Sequence, residues 1–270
     1  MKKLTIIALL FLFLVVYYMT LNPNSNIIAM LGSNDQNKLW VYQEDNLICM
    51  SFSEPPQGLR QSCINLDKKS DLVFEYQKKI LAGLLINPQP KRVLLIGLGG
   101  GTLAKALLQL YPDLFLDIVE INPFVLEAAE KYFFFQKTDK TRVFLEDAFD
   151  YLERVSKEKN HYDFIILDAF DANYIPRKLL SQRFFSNLKR VMTLDAVIAI
   201  NTFNNSQYNS IEKQLIEDNF KNFYRLSGKN IVILAGPSKS KEELSSNGST
   251  IAKKLQEIYL SNEELLSRFD

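Results

Sequence analysis

Four short segments hold the residues able to do chemistry, and each ends a run of Val, Leu, Ile or Phe. Gly97-Leu98-Gly99-Gly100-Gly101 follows Arg92 to Ile96, and Glu120 closes Leu114 to Glu120. Asp147-Ala148 follows Val143 to Glu146, and Asp168-Ala169-Phe170-Asp171 follows Phe164 to Leu167. Adjacent glycines let a backbone turn tightly and approach a ligand with no Cβ in the way. A carboxylate nineteen residues beyond Gly101, at Glu120, can accept both hydroxyls of a ribose. A carboxylate at Asp147 can accept from an adenine amino group, with Ala148 beside it. Asp168 and Asp171 stand at the mouth of the crevice these strand ends would form. Each feature has a plainer explanation when taken alone. Gly97 to Gly101 would serve as an ordinary strand-to-helix turn. Glu120 and Asp147 would be acids favoured at helix N-termini by the macrodipole, and Asp168 and Asp171 caps of the loop before Pro176. Four successive strand ends with such features, three of them acidic, point instead to a nucleoside-binding crevice.

The elements that must position these residues follow from periodicity. Arg92 to Ile96 and Phe164 to Leu167 are almost wholly apolar, as central parallel strands are. Helices are expected over Thr102 to Leu110, from Asn122 (cap) and Pro123 (first turn) to about Phe134, and over Ala148 to Val155. Further elements are a helix near Lys178 to Val191, a strand Ala196 to Ile200, a helix near Gln207 to Phe220, strands near Phe223 and Ile231 to Leu234, and a polar helical tail. Strand alternating with helix defines an α/β, doubly wound Rossmann-like sheet, whose ligands bind beyond the carboxyl ends of the strands. Ahead of it, Leu39 to Tyr42, Leu47 to Phe52 and Leu59 to Ile64 read as a β-meander, and Leu72 to Leu85 as a helix with apolar steps of three and four. The division is a hydrophobic segment over 1–21, a linker over 22–37, the meander over 38–70 and the nucleoside-binding domain over 71–270.

Composition removes other chemistries. The chain has 270 residues, one His and two Cys, so His-based zinc sites and four-thiolate clusters are excluded and no metal site is expected. With 32 Lys and Arg against 31 Asp and Glu, nothing in bulk charge asks for nucleic acid. Lys2 and Lys3 precede an uncharged apolar run over residues 4–21, and eighteen residues at about 1.5 Å per residue reach about 27 Å, close to a bilayer core. This segment is read as a membrane anchor rather than a cleaved signal, because no small-x-small site follows it cleanly. Which side the domain lies on stays open, since only two lysines carry the orientation. Cys49 and Cys63 flank a turn at Pro55-Pro56, in register for a cross-strand disulfide or for two reduced apolar neighbours. Tyr132-Phe133-Phe134-Phe135 is read as helix-to-sheet packing with aromatic area to spare for a homodimer.

From about Tyr76 to Asn201 the chain resembles the spermidine synthase (polyamine aminopropyltransferase) family, which shares the class I methyltransferase fold. The stretches that carry the likeness are Val93 to Gly101, Val119-Glu120-Ile121-Asn122-Pro123, Glu146-Asp147-Ala148 and Tyr162 to Asp168. The resemblance implies that Gly97, Gly99, Gly101, Glu120, Asp147 and Ala148 bind decarboxylated S-adenosylmethionine as a co-substrate, with no tightly bound cofactor. It further implies Asp168 as proton acceptor, Asp171 and Tyr76 as catalytic partners, and Asp171, Tyr76, Gln77 and Pro176 as the amine side. The chain departs from the family at Gly100, where an Asp is usual, and at Asp168 to Ala172, which lacks the usual hydroxyls and proline. The implied activity is aminopropyl transfer to a di- or polyamine. Two alternatives are an S-adenosylmethionine-dependent methyltransferase, with Thr102 and glycine-turn amides for the extra carboxylate, and a membrane-tethered binder of nucleoside or polyamine without catalysis.

Overall fold

The computed structural model describes residues 26–33, 38–55, 59–158, 161–170, 175–203 and 209–269. The apolar run over 4–21 lies outside them; among the described residues no helix is long and apolar enough to cross a membrane. Four antiparallel strands come first, β1 (Asn26–Leu31), β2 (Leu39–Glu44), β3 (Leu47–Ser51) and β4 (Ser62–Asn65), paired in chain order. The meander is therefore one strand larger than the sequence suggests. Residues 26–31 fall within the expected linker, yet Ile27, Ile28 and Met30 supply enough β-forming side chain for an edge strand along β2. Cys49 and Cys63 pair directly across β3 and β4 and are joined in a disulfide.

Helix α1 (Glu75–Leu81) is shorter than Leu72 to Leu85, since its last turn tightens into a 3-10 turn over Ala82–Leu85. The main domain then alternates: β5 (Arg92–Ile96), α2 (Thr102–Leu110), β6 (Phe115–Glu120), α3 (Pro123–Tyr132), β7 (Thr141–Leu145), α4 (Ala148–Val155), β8 (Tyr162–Leu167), α5 (Gln182–Arg190), β9 (Met192–Phe203) and α6 (Asn209–Asn219). It closes with β10 (Phe223–Leu226), β11 (Asn230–Ala235), α7 (Lys241–Gln256) and α8 (Asn262–Leu266). The seven strands lie in the order β10-β11-β9-β8-β5-β6-β7. The five from β9 to β7 are parallel, and β11 runs antiparallel to both neighbours.

Alternation along the central strands builds a layer on each face of this sheet. Val93 and Leu95 join a core with Ile80 of α1, Leu103 and Leu107 of α2, Ala128 of α3 and Leu255 of α7. Leu94 and Ile96 join the opposite core with Leu152 of α4, Phe184 and Leu188 of α5, and Leu215 of α6. The meander packs on the first face through Leu39, Val41, Met50 and Ile64. The sheet reverses its direction of winding between β5 and β8, and in sheets of this kind ligands bind beyond such strand ends, here those of Ile96 and Leu167.

The aromatic run after α3 does not offer its full area to a second subunit. Phe133 and Phe135 are fully buried, and they fill the space a Cβ would need at Gly100 and Gly101. Phe134 alone turns outward, with the Lys69 ammonium over its ring.

Candidate active site

The turn after β5 is built around residues with positive φ. Gly97, Gly99 and Gly101 have φ of 93°, 54° and 69°, a region costly for any side chain. At Gly97 the restriction is also steric, because a Cβ would run into the Asp168 carbonyl at the end of β8. The first and fourth strand ends therefore meet main chain to main chain, with Asp168 N donating to Ile96 O at 2.9 Å.

Glu120, at the end of β6, is nearly buried and faces this turn. Its Oε2 accepts from the Leu98 amide and its Oε1 from the Asn122 amide, each at 2.9 Å. Burial raises its pKa, and these amides pull against that rise. The acid thus ties the glycine turn to the start of α3 while keeping lone pairs for a hydroxyl donor. Asp147 is the N-cap of α4, its Oδ1 accepting from the Phe149 amide at 2.8 Å. Its Oδ2 is held by Lys178, from the 3-10 turn Arg177–Leu179 that Pro176 caps. The structure thereby connects Pro176 to the Asp147 side of the crevice. Ala148 opens α4 next to it.

Asp168 is held differently. Its Oδ1 accepts from Asn201 Nδ2 at 2.7 Å, and the Tyr76 hydroxyl donates to the same carboxylate. Neither is a charge, so burial dominates and the carboxyl is pushed up to about 7. Tyr76 is in turn raised well above a free phenol, first by its own burial and then by the Asp168 charge. Gln77, 3% exposed, donates from Nε2 to the Thr102 hydroxyl at 2.8 Å, tying α1 to the first turn of α2. Its buried Oε1 has no partner among the described residues.

The structure therefore gathers Gly97, Glu120, Asp168, Tyr76 and Gln77 into one contiguous corner, with Asp147 and Ala148 along the rim. Asp171 lies outside the described residues. Sequence reasoning missed Asn201, a neutral amide inside β9 just past the apolar run Ala196 to Ile200. An amide in that place carries no chemical signal until its neighbour Asp168 is known. Lys178 and Asn230, which orient Asp147 and Asn201, carry no local signal either.

A mostly parallel seven-stranded sheet with acids at successive strand ends defines a class I methyltransferase-like fold. The spermine/spermidine synthase domain model matches residues 73–234, more than half of the chain, and the chain belongs to that family. The polyamine aminopropyltransferase of Vibrio vulnificus (strain CMCP6) is 40% identical over 185 residues, which cover 68% of this chain and 62% of that relative. The chain thus spans less than two thirds of that relative's length. A solved spermidine synthase in complex with the transition state analogue AdoDATO has a TM-score of 0.68 at 17% identity, covering 90% of this chain and 85% of its own. Human methyltransferase-like protein 13 in complex with SAH has a TM-score of 0.62 at 22% identity, covering 68% of this chain and 93% of its own. At such identities both structures speak for the fold.

Proposed function

We propose that this protein transfers an aminopropyl group from decarboxylated S-adenosylmethionine to a di- or polyamine, with Asp168 accepting the proton. The observation that carries the reading is the environment of Asp168: a carboxylate at the crevice, held by neutral donors and titrating near neutrality. An alkyl ammonium has a pKa of about 10 and cannot attack until it loses a proton. A carboxylate with its ordinary pKa of about 4 is a poor base for that task. One raised to about 7 closes roughly half of the gap and is still largely ionised above neutrality. The amine nitrogen then attacks the methylene beside the sulfonium, the carbon–sulfur bond breaks, and methylthioadenosine leaves with the electron pair. The proton ends on Asp168. Positioning does the rest: Glu120 would hold the ribose, Asp147 the adenine, and Tyr76 the carboxylate that meets the amine. The free Gln77 Oε1 suits an ammonium donor.

The methyltransferase alternative must find a partner for the α-carboxylate of intact S-adenosylmethionine. Thr102 accepts from Gln77, so its one O–H and the glycine-turn amides are what that carboxylate would have to use, with no cation among them. Incubation with putrescine and decarboxylated S-adenosylmethionine should release methylthioadenosine. Asp168→Asn should lower kcat by at least about a hundredfold. Tighter calorimetric binding of the carboxylated nucleoside would reject the aminopropyl reading.

The membrane reading of residues 4–21 stands beside this one as part of the proposal. A sulfonium nucleoside is a cytoplasmic compound, whereas a persistent Cys49–Cys63 disulfide fits an oxidising compartment. Protease protection in intact cells, with thiol alkylation of the same samples, reads the side and the bridge together.

A further inference from the structure

Asp168 belongs to a hydrogen-bonded ring that leaves α1 and returns to it. Tyr76 donates to Asp168, and Asn201 Nδ2 donates to its Oδ1 at 2.7 Å. Asn230 Nδ2, at the start of β11, donates to Asn201 Oδ1 at 3.1 Å. The Asn230 carbonyl accepts from Lys79 Nζ at 3.1 Å, and the Ser227 carbonyl accepts from the same ammonium at 2.7 Å. Tyr76 and Lys79 lie three residues apart on α1, so one helix face closes the ring.

An asparagine amide is a donor on one side and an acceptor on the other, and its shape alone favours neither toward a neighbour. Asn201 is 1% exposed, so no bulk water competes for either end. By donating to its oxygen, Asn230 turns its nitrogen toward Asp168. We propose that Asn201, oriented by Asn230, is a positioning residue that fixes the Asp168 carboxylate and favours its ionised form. This inference rests on the reading of Asp168 as proton acceptor. The groups that face Asp168 among the described residues are the Tyr76 phenol from α1 and the neutral Asn201 amide from β9. Lys79 stands three hydrogen bonds away along that side of the ring, on the Asn230 main chain.

The test is a carbon-13 titration of the Asp168 carboxyl in the full chain, with Asp168→Asn assigning the resonance. Asn201→Leu removes the donor and should raise the Asp168 midpoint by about one pH unit. Asn230→Asp is nearly isosteric and can only accept, so Asn201 must turn its nitrogen away from Asp168. The midpoint should again rise, by about one pH unit. In the aminopropyl assay the acid limb of kcat/KM should move with it. There kcat should fall about tenfold and KM for the amine should change less than about threefold. A midpoint unmoved in variants that unfold as cooperatively as wild type overturns the proposal. If Asn201→Leu does not fold, Asn230→Asp decides alone. The titration needs no substrate: a moved midpoint in a protein that releases no methylthioadenosine rejects the aminopropyl reading and leaves the ring standing.

Discussion

The two halves of the crevice hold their carboxylates by different means. Glu120 and Asp147 accept from main-chain amides close in sequence: Asn122 for the first and Phe149 for the second, with Leu98 joining across the glycine turn. Such donors are fixed by the backbone and hold the carboxylate in place, which suits groups whose task is to accept hydrogen bonds from the ribose and adenine of a nucleoside. Asp168 is held by side chains from Tyr76 and Asn201, with burial set against its charge. An acid in that setting exchanges its proton near neutrality, which suits a group whose task is to take one. The contrast separates a binding half from a reacting half.

The sharpest way to break it is to remove the charge of Asp168 and follow stability against pH. A carboxyl at about 7 in the folded chain, against 3.8 when free, binds its proton more tightly in the folded state. Its contribution to stability is complete below pH 3.8 and is lost as pH rises through about 7. Asp168→Asn, which cannot ionise, should therefore be more stable than wild type at pH 8, by on the order of 2–4 kcal/mol. The difference should shrink steadily on acidification. Denaturant midpoints measured from pH 4 to 8 show this directly, and parallel curves for the two proteins would mean that Asp168 titrates like a surface acid. A gain in stability coupled to a loss of turnover is the signature of a functional group kept at a cost.

Glu120→Gln tests the other half. The substitution keeps the shape but weakens the acceptor, and it turns an NH2 toward one of two main-chain donors. Nucleoside affinity should fall by about tenfold to a hundredfold, the loss of about 1.5–3 kcal/mol expected for a hydrogen bond to a charged group. The acid limb of kcat/KM should stay where it is, because Glu120 is not among the groups that shift Asp168. Calorimetry gives the affinity and a pH–rate profile gives the limb. A moved limb would merge the two halves into one electrostatic unit.

This division also explains what could be read from the chain beforehand. The binding half is local: a Val-Leu-Leu-Ile run, a glycine turn, an acid at the next strand end, and caps at Asn122-Pro123 and Asp147. Each is a relation between neighbours, and neighbours are visible in a sequence. The reacting half is assembled from Tyr76, Asp168, Asn201 and Asn230, on four elements far apart in the chain and brought together by the sheet order. Asp168 was legible as a strand-end acid. Its partner Asn201 was not, because an amide after an apolar run has no chemistry until its neighbour is known. The same limit hid the roles of Phe133 and Phe135, whose rings fill the space beside Gly100 and Gly101. The edge strand β1 was missed for a local reason: its asparagine- and serine-rich surroundings outweighed Ile27, Ile28 and Met30.

The smallest effect should come from Asp147, where the structural and functional readings of one carboxylate can be separated. As N-cap of α4 it satisfies the Phe149 amide, and its Lys178 pair is half exposed and adds little. Asp147→Ala should cost about 1 kcal/mol, a fall in Tm of roughly 2–4 °C. Asp147→Ser keeps a capping oxygen and should restore most of that stability. A serine hydroxyl is a weaker acceptor than a carboxylate, and it is also a donor. If Asp147 accepts from the adenine amino group, Asp147→Ser should therefore recover the Tm but not the nucleoside affinity. Recovery of both would reduce Asp147 to a helix cap, and the rim of the binding half would then be Glu120 and the glycine turn alone.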